Sequence, residues 1–346
     1  MKEVKIKNQW VGGHNPVYII AEIGGNFQDF KTATKLIDLA QKAGVNAVKF
    51  QHYKADTITS KNAIFEMENT GVVSQYDIFK KYELSEELTT DLFSYCRDKQ
   101  MTAFSTPSHP SDVDLLEKFN IPAYKVGSDD AVNIPFLKYV AKTAKPILLS
   151  TGMCTMSEVQ RSVDVILEEG NDQIILFHCV SNYPTPIESV NLKAIQSMQS
   201  YFSFPVGYSD HTKGIDTCYA ASVLGACILE FHFTYDKNAD GPDHILSKDY
   251  DDTVKLLKKI NELSIFLGDG IKRPATTEMN SKRNNRKSIV VISDIKAGEK
   301  ITPKNIEIRR PGYGIACEYY YTLLGKTVCR NIEAENVLIW DDIWEA

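Results

Sequence analysis

Two histidines, each in an apolar run near its end, are the side chains of this sequence best suited to bind a metal ion. His211 closes the run 205–211, and His232 lies in the run 226–234. Imidazole is a ligand for Mn²⁺, Fe²⁺ and Zn²⁺, and Glu230 shares the face of His232 in an extended chain. Two protein ligands would leave positions for substrate oxygen and water, as suits an ion that polarises a carbonyl. Either histidine could instead be a hydrogen-bonded core residue.

Two lysines stand inside apolar segments, Lys49 in Ala-Val-Lys-Phe and Lys125 in Ala-Tyr-Lys-Val. A buried, unpaired ammonium is costly, so each needs an anion or a solvated cleft. A structural network with Glu22 and with Asp129 or Asp130 would satisfy both lysines. The functional alternative is that they hold a dianionic ligand, to whose phosphate oxygens neighbouring hydroxyl groups would donate. Those hydroxyl groups belong to Thr106, Ser128, Ser150, Ser181 and Ser209.

Two carboxylates could complete such a site. Glu22 closes an apolar run, where it could orient a substrate hydroxyl or activate water. Asp243 lies in the turn Asp-Gly-Pro-Asp-His and could contact a polyol, or could simply stabilise the turn. The sequence contains neither a P-loop nor a Gly-x-Gly-x-x-Gly motif, so a nucleotide ligand is not predicted.

Eight apolar runs, most of them followed by a helix-like stretch, would position these side chains. The runs are 17–24, 47–53, 102–108, 123–128, 146–153, 174–181, 205–211 and 226–234. Short runs of this kind are typical of buried parallel strands, and eight such strand–helix units close into a (β/α)₈ barrel. The predicted fold class is therefore α/β. The reactive residues lie at the carboxyl ends of the strands, where (β/α)₈ barrels have their active sites.

Helical periodicity or end signals predict seven helices, and one further helix is predicted to cover the site. The helices are 32–43, 112–119, 135–143, 156–169, 192–201, 216–224 and 253–267. Residues 54–85 form an unusually long connection, in which 76–82 is predicted to be a helix covering the site, although a surface insertion is the alternative. Before the first run, 4–6 and 10–11 predict a β-hairpin at the barrel floor.

The character of the chain changes after residue 270. We predict a barrel domain over residues 1–270, a polar and basic linker over 271–287, and a small β-rich domain over 288–346. Short strands are expected at 288–292 and 305–309 within the last domain.

Composition narrows the class of protein. The net charge of −6 among 346 residues argues against nucleic acid or an anionic membrane as the main partner. No apolar run approaches the ~20 residues of a membrane-spanning helix, and the first residues lack an apolar signal core. Seven cysteines without a Cys-x-x-Cys pair indicate reduced thiols, so we expect a cytoplasmic protein.

Nine motifs in this order carry a resemblance to a known family. They are Ile-Ala-Glu-Ile-Gly-Gly-Asn (20–26), Val-Lys-Phe-Gln (48–51), Phe-Ser-Thr-Pro (104–107), Tyr-Lys-Val-Gly-Ser (124–128), Leu-Ser-Thr-Gly-Met (149–153), His-Cys-Val-Ser-Asn-Tyr-Pro-Thr-Pro (178–186), Gly-Tyr-Ser-Asp-His-Thr (207–212), Leu-Glu-Phe-His-Phe-Thr (229–234) and Gly-Pro-Asp-His (241–244). With them, the chain closely resembles the sialic acid synthase family, which makes N-acetylneuraminic, legionaminic or pseudaminic acid. Ile-Arg-Arg-Pro-Gly-Tyr-Gly at 308–314 resembles the antifreeze-protein-like (SAF) domain of that family.

The resemblance implies that phosphoenolpyruvate condenses with an N-acylated mannosamine-type hexose to give phosphate and a nine-carbon 2-keto acid. It also implies a domain-swapped homodimer in which the SAF domain covers the barrel of its partner. His211 and His232 would bind a divalent ion, Mn²⁺ or alternatively Mg²⁺ or Co²⁺, that polarises the sugar aldehyde.

The resemblance assigns the remaining residues to three roles. The catalytic groups would be Glu22, Lys49, Lys125 and Glu230. Phosphoenolpyruvate would be bound by Lys49, Thr106, Lys125, Ser128, Ser150, Ser181, Tyr183 and Ser209. The sugar would be bound by Gln51, Asp130, Tyr183, Asp243 and, from the other subunit, Arg310.

Four positions depart from the family pattern, and two of them, Phe27 and Asp130, bear on contacts to the sugar. Phe27 stands where members often have His, Asp130 where Glu is common, Phe231 where a basic residue is common, and Ser181 where the sialic acid type has Asn. The acceptor is therefore left open. A metal-dependent aldolase or sugar isomerase that does not use phosphoenolpyruvate is the alternative enzyme, and an inert carbohydrate-binding barrel is the alternative outside enzymes.

Overall fold

A computed structural model describes residues 2–67 and 71–344. The chain forms two compact units, Met1–Leu267 and Gly268–Ala346. The predicted domains 1–270 and 288–346 reach the two ends of the chain, which lie outside the described residues. Their boundaries therefore stay a prediction.

The first unit is a closed parallel barrel. The strands of the chain are β1 (Val4–Ile6), β2 (Gln9–Val11), β3 (Tyr18–Glu22), β4 (Ala47–His52), β5 (Ile64–Met67), β6 (Gly71–Ser74), β7 (Thr102–Pro107), β8 (Tyr124–Val126), β9 (Ile147–Ser150), β10 (Ile174–Cys179), β11 (Val206–Asp210), β12 (Ile228–His232), β13 (Ser288–Val291) and β14 (Ile306–Arg309). Eight of them close in the order β3-β4-β7-β8-β9-β10-β11-β12. Each barrel strand contains the centre of one apolar run, so the predicted (β/α)₈ barrel is confirmed.

The register of the parallel strands brings the reactive residues to one level. Glu22 lies opposite Lys49 on β4 and opposite His232 on β12. Ser209 on β11 lies opposite Glu230 on β12. Because all eight strands run in the same direction, their carboxyl ends meet at one face of the barrel.

Below this level the barrel is filled by buried apolar side chains. The largest fully buried residues include Phe50, Phe104, Phe177 and Phe231. Where β11 and β12 come close, a Cβ on Gly207 would lie 2.5 Å from the carbonyl oxygen of Ile228, so only glycine fits.

Helices alternate with the barrel strands. They are α1 (Phe30–Ala43), α2 (Ala55–Ile58), α3 (Gln75–Tyr82), α4 (Glu86–Asp98), α5 (Pro110–Glu117), α6 (Ile134–Ala141), α7 (Met156–Glu168), α8 (Lys193–Tyr201), α9 (Asp216–Val223), α10 (Tyr250–Leu267), α11 (Met279–Asn285) and α12 (Tyr320–Leu323). Local signals set their ends: Asp29 accepts from the Thr32 N–H before α1, and Gly44 ends that helix at a φ of 94°.

The α4 helix lies outside the helices that the sequence analysis predicts. Its signals are nevertheless present, since Ser85 accepts from the Leu88 N–H and two glutamates occupy the first turn. Its buried face is formed by Thr89, Leu92, Phe93 and Cys96.

The long connection between β4 and α4 has its own structure. It contains α2, the antiparallel hairpin β5–β6 and α3, which corresponds to the predicted helical cover. At the start of the chain, β1 and β2 form the predicted hairpin. Gln9 accepts from Asn46 just before β4, and the Lys2 N–H donates to Ser203 just before β11, so this hairpin adjoins the amino ends of barrel strands.

The second unit has a separate core, built around Ile289, Ile301, Ile306 and Leu323. Its strands β13 and β14 pair antiparallel, close to the two predicted strands. The predicted linker includes the exposed helix α11. Among the described residues of both units, no helix combines the length and apolarity needed to cross a bilayer.

Candidate active site

A cavity of about 530 Å³ opens at the carboxyl ends of the barrel strands. It brings together nearly all of the side chains that the sequence singled out. The predicted residues that line it are Glu22, Lys49, Gln51, Thr106, Lys125, Ser128, Ser150, Ser181, Tyr183, Ser209, His211, Glu230, His232 and Asp243.

At the base of this cavity lie Glu22, Lys49, Lys125 and Glu230, which we call the charged floor. Lys49 forms an ion pair with Glu22 and donates to Thr106 Oγ1 at 2.9 Å. Glu230 Oε1 is shared, at 3.8 Å from Lys49 Nζ and 3.6 Å from Lys125 Nζ. All four side chains are at least nine-tenths buried. The second oxygen of Glu230, Oε2, has no hydrogen-bond partner among the described residues.

Burial and mutual attraction compete in setting the charges of the floor. Burial lowers the pKa of Lys125, although Glu230 opposes this shift. Burial also acts against the charged form of Lys49, but Glu22 and Glu230 raise the pKa of Lys49 above its ordinary value. Burial raises the pKa of Glu22, whereas Lys125 and Lys49 overcome burial and lower the pKa of Glu230. The floor therefore favours negative charge beside Lys125, whose ammonium is the least compensated.

Hydroxyl groups surround the two lysines. Lys125 Nζ donates to Ser150 Oγ at 2.5 Å. The Gly152 N–H donates to Ser128 Oγ at 3.0 Å. A Cβ on Gly152 would lie 2.4 Å from Ser181 Oγ and 2.8 Å from Ser128 Oγ, so glycine is needed to let these hydroxyls converge. Such a cluster can donate several hydrogen bonds to one anion.

The two histidines line the cavity beside the floor, with ring centroids 5.5 Å apart. His211 Nδ1 lies 2.8 Å from the Val180 carbonyl oxygen, which can only accept, so this nitrogen carries the proton and leaves Nε2 as an acceptor. His232 Nδ1 lies 3.2 Å from Asp243 Oδ2. Burial and the neighbouring His232 lower the pKa of His211 to about 4, so its ring is neutral.

The histidine nitrogens could provide part of the coordination shell of a metal ion. His211 Nδ1 is hydrogen-bonded to a carbonyl oxygen and His232 Nδ1 lies near the Asp243 carboxylate, which leaves both Nε2 atoms for a metal ion. The unpartnered Glu230 Oε2 adds an oxygen atom in the same cavity. Within residues 2–67 and 71–344, no group of three or more His, Cys, Asp and Glu side chains has metal-binding geometry. The fit is thus to an ion that takes further ligands from substrate and water.

Two predicted sugar contacts do not line the cavity. Its neighbour Asp129 lines the cavity, whereas Asp130 accepts a hydrogen bond from Asn133 Nδ2 at 2.8 Å. Arg310 belongs to the second unit, directly after β14. Their roles stay predictions. Phe27 is a core residue, only 4% exposed and edge-on to the Phe50 ring.

The sequence analysis missed two features of the site. One is an apolar part of the cavity lining, which comes from the long connection between β4 and α4. The other is the buried pair Asp210–Lys248, with a separation of 2.6 Å, directly beside His211. Asp210 stands at the end of a predicted strand, but Lys248 is 38 residues away in the chain. No local sequence pattern predicts their contact.

Chemically, the arrangement can hold an anion with a phosphate or a carboxylate at the floor and a polar, oxygen-rich molecule against the histidines. The floor has two ammonium and two carboxylate groups, so its formal charge is zero. A highly charged anion would therefore need a further positive charge nearby, which a cation held by the histidines would provide.

Comparison with known proteins identifies the family. The NeuB family model matches residues 36–272, and the SAF domain model matches residues 286–343. The chain is 38% identical to the N,N'-diacetyllegionaminic acid synthase of Campylobacter jejuni, over 92% of this chain and 98% of that protein. It is 33% identical to the pseudaminic acid synthase of the same species, over 93% of this chain and 95% of that one.

A solved structure agrees with these relatives. The N-acetylneuraminic acid synthetase of Leptospira borgpetersenii, in complex with citrate, has a TM-score of 0.74 and 31% identity, over 81% of this chain and 95% of that one. The predicted resemblance, the predicted fold with its SAF domain and the predicted class of enzyme, a nonulosonic acid synthase, are confirmed at this level. The chain belongs to the NeuB family and carries a SAF domain in its C-terminal unit.

Proposed function

We propose that this protein is a nonulosonic acid synthase that condenses phosphoenolpyruvate with an N-acylated mannosamine-type hexose. The observation that carries the proposal is a single cavity holding two buried lysines, a cluster of hydroxyl groups and a facing pair of histidines. Its similarity to sialic, legionaminic and pseudaminic acid synthases supports the same class.

Phosphoenolpyruvate would lie on the charged floor. Lys125 has the ammonium least compensated by the protein, so the phosphate or carboxylate of the ligand would complete its surroundings. The hydroxyls of Ser128 and Ser181, which converge at Gly152, would donate to the remaining anionic oxygens. Lys49 would contribute a second positive charge from its position between Glu22 and Thr106.

The reaction balances with water as the only other reactant. The methylene carbon of the enol attacks the aldehyde carbon of the open-chain sugar, and the new carbon–carbon bond forms. Water adds to the neighbouring carbon and loses a proton, while the former aldehyde oxygen gains one. The tetrahedral intermediate then expels inorganic phosphate by carbon–oxygen cleavage, which leaves a 2-keto acid with nine carbons.

Glu22 is suited to orient the water or a sugar hydroxyl. Its Oε1 accepts from the Gly24 N–H at 2.5 Å, and Lys49 pairs with its other oxygen. The backbone hydrogen bond to Oε1 and the ion pair at Oε2 restrict the orientation of this carboxylate. Gln51, Tyr183 and Asp243 also line the cavity and would contact the sugar, with Arg310 of the partner subunit at its N-acyl group.

His211 and His232 would hold a divalent cation through their Nε2 atoms, with Mn²⁺ proposed and Mg²⁺ or Co²⁺ as alternatives. When bound, such an ion supplies Lewis-acid polarisation of the aldehyde. The protein contributes the neutral ring of His211 and the Asp243 carboxylate that orients His232.

We further infer a domain-swapped homodimer in the cytoplasm. The SAF domain and the placement of Arg310 within it support the swap, by resemblance to the family. All seven cysteines are free thiols, which is typical of a reducing compartment.

The test of the function is phosphate release from phosphoenolpyruvate with Mn²⁺ present. N-acetylmannosamine and 2,4-diacetamido-2,4,6-trideoxyhexoses are offered as acceptors, and the product is analysed by mass spectrometry. We expect release that depends on an acceptor, with a nine-carbon 2-keto acid formed in equal amount. Carbon–carbon bond formation without phosphate release would instead favour the aldolase.

The metal is tested apart from activity. Calorimetric titration with Mn²⁺ should show binding to the wild type and loss of binding in His211→Ala and His232→Ala. His14→Ala, which removes an exposed histidine outside the cavity, is the matched control. Equal binding by all four proteins would remove the proposed ligands.

The swap is tested by mixing inactive subunits. Arg310→Ala and Lys125→Met should each be inactive, whereas hetero-dimers of the two regain activity because one barrel then receives an intact arginine in trans. Arg309→Ala, whose side chain pairs with Glu307 and Glu335, should stay active. A mixture that remains inactive after subunit exchange would contradict donation in trans.

A further inference from the structure

The active-site cavity contains a thiol that has no part in the reaction as proposed above. Cys179 ends β10, is only 5% exposed and lines the cavity. Its Sγ lies 3.1 Å from Ser128 Oγ, within hydrogen-bonding distance for a sulfur atom. Cys179 is a free thiol, so it has a proton to donate.

This thiol belongs to the cluster of hydroxyl groups around Gly152. A Cβ on Gly152 would lie 3.1 Å from Cys179 Sγ and 2.8 Å from Ser128 Oγ. Ser181 Oγ would lie 2.4 Å from the same Cβ. The sulfur is therefore beside the two hydroxyls that would donate to the anion.

Ser128 has a single hydroxyl proton, and the direction of this proton depends on Cys179. A hydroxyl group can donate one hydrogen bond and accept two. The Gly152 N–H, which can only donate, already occupies one acceptor position of Ser128 Oγ at 3.0 Å. The Ser128 proton therefore points either at Cys179 Sγ or away from the sulfur, where a ligand can accept it.

The two directions differ in what they offer to an anion. If Ser128 donates to the sulfur, it has no proton left for a ligand. If Cys179 donates instead, both acceptor positions of Ser128 Oγ are filled and its proton is free for the anion. Sulfur is a weak acceptor and an anionic oxygen is a strong one, so a bound anion favours the second arrangement.

Resting on the proposed function, we propose that Cys179 is a positioning residue for phosphoenolpyruvate, whose S–H donates to Ser128 Oγ and thereby directs the Ser128 proton to the anion. Cys179 acts through Ser128, and its thiol neither loses its proton nor forms a covalent bond. Two hydrogen bonds in series polarise each other, which strengthens the one that reaches the ligand. A side chain at position 179 that cannot donate leaves the Ser128 hydroxyl free to rotate, so the anion is bound more weakly.

The experiment measures the Kd of phosphoenolpyruvate by calorimetry with Mn²⁺ present, and its KM by phosphate release. Cys179→Ala removes the donor and should raise both values by roughly threefold to tenfold, as expected for the loss of one neutral hydrogen bond. Cys179→Ser keeps a proton donor and should bring both values back to within about twofold of wild type. In both variants kcat, KM for the acceptor and the melting temperature should change little, whereas a purely structural role would affect them as well.

A double-mutant cycle tests whether Cys179 acts through Ser128. Once Ser128→Ala has removed the hydroxyl, adding Cys179→Ala should change Kd by less than about twofold. Thr106→Val provides the matched comparison, because the Thr106 hydroxyl accepts from Lys49 at 2.9 Å. Its effect on Kd should multiply with that of Cys179→Ala. Cys227→Ala, which removes a buried thiol outside the cavity, should leave Kd unchanged.

The outcomes separate the positioning role from the synthase itself. If the protein binds phosphoenolpyruvate and releases phosphate, but the effects of Cys179→Ala and Ser128→Ala on Kd multiply, the positioning role is wrong and the synthase stands. An unchanged Kd in Cys179→Ala would have the same meaning. If folded wild-type protein with Mn²⁺ neither binds phosphoenolpyruvate nor releases phosphate with any acceptor, the synthase is overturned and the positioning role with it.

Discussion

Two groups of buried lysines and carboxylates lie in this barrel, and they differ in how completely their charges are paired. In the buried pair, Asp210 and Lys248 are 0% and 1% exposed and 2.6 Å apart. Asp210 also accepts hydrogen bonds from Tyr208, from the Thr212 N–H and from Thr217. In the charged floor, by contrast, the contacts of Glu230 to its two lysines exceed 3.5 Å, and within the part of the chain that the structure describes its Oε2 has no hydrogen-bond partner.

This difference separates structural charge from functional charge. The buried pair satisfies itself and holds the end of β11, while the Lys248 N–H donates to the His232 carbonyl oxygen and so ties in β12. The pair therefore positions the backbone of both histidines. The charges of the floor are incompletely paired, which lowers the stability of the folded protein. A bound anion would compensate for this loss.

The largest effect should come from removing a lysine of the floor. We expect Lys125→Met to lower kcat/KM by about 10³-fold, because a buried charged donor to the anion is lost. Stability should fall less than at a carboxylate that loses its only cation, since Glu230 keeps Lys49 at 3.8 Å and burial disfavours the Lys125 ammonium. Steady-state phosphate release and thermal unfolding measure the two quantities.

Lys145→Met provides the control for Lys125→Met. Lys145 pairs with Glu117 at 2.7 Å outside the active-site cavity, so its loss should leave kcat/KM unchanged. A Lys125→Met protein with wild-type kcat/KM would mean that the floor does not bind the anion.

The next effect is on stability, at the buried pair. Lys248→Met should lower the free energy of unfolding by about 3 kcal/mol, because it leaves the Asp210 carboxylate buried without its cation. The midpoint of urea denaturation measures this change.

The double variant Asp210→Asn with Lys248→Met separates charge from packing. It should recover part of the lost stability, since no unpaired charge then remains. If Lys248→Met were as stable as the wild type, the buried pair would not stabilise the fold more than the charged floor does. The difference drawn between the two groups would then be wrong.

The buried pair also shows what the sequence could and could not predict. The barrel, its order and the level of Glu22, Lys49 and His232 follow from local apolar runs and from the rule that parallel strand ends meet. Lys248 follows no such run, because its partner is set by the path of the chain after β12. Similarly, the apolar part of the cavity lining depends on how α3 and β5–β6 pack at the cavity, which residue types alone do not specify.

Asp130 offers the smallest and most specific test, because it is a half-buried carboxylate that forms no ion pair with a described cation. Asp130 belongs to neither the buried pair nor the charged floor. Burial raises the pKa of Asp130 to about 6, although the hydrogen bond from Asn133 lowers it. The neighbouring carboxylates of Asp129 and Asp112 also raise this pKa. The folded protein therefore keeps this proton up to about pH 6, whereas the unfolded chain releases it near pH 4.

Because the folded state binds more protons between these values, Asp130 contributes stability below about pH 4 that is lost as the pH rises through about 6. Asp130→Asn removes the titration, so its melting temperature relative to wild type should increase from pH 4.5 to pH 7.5. The gain should stay below about 1 kcal/mol, since the side chain is only half-buried and solvent screens it. Asp114→Asn, at a carboxylate that accepts from Tyr139 on the exterior, controls for the loss of one negative charge. A difference that is constant with pH, or that falls, would show that Asp130 is ionised throughout, and that a half-buried carboxylate of this barrel stays charged without the cation that the fully buried Asp210 requires.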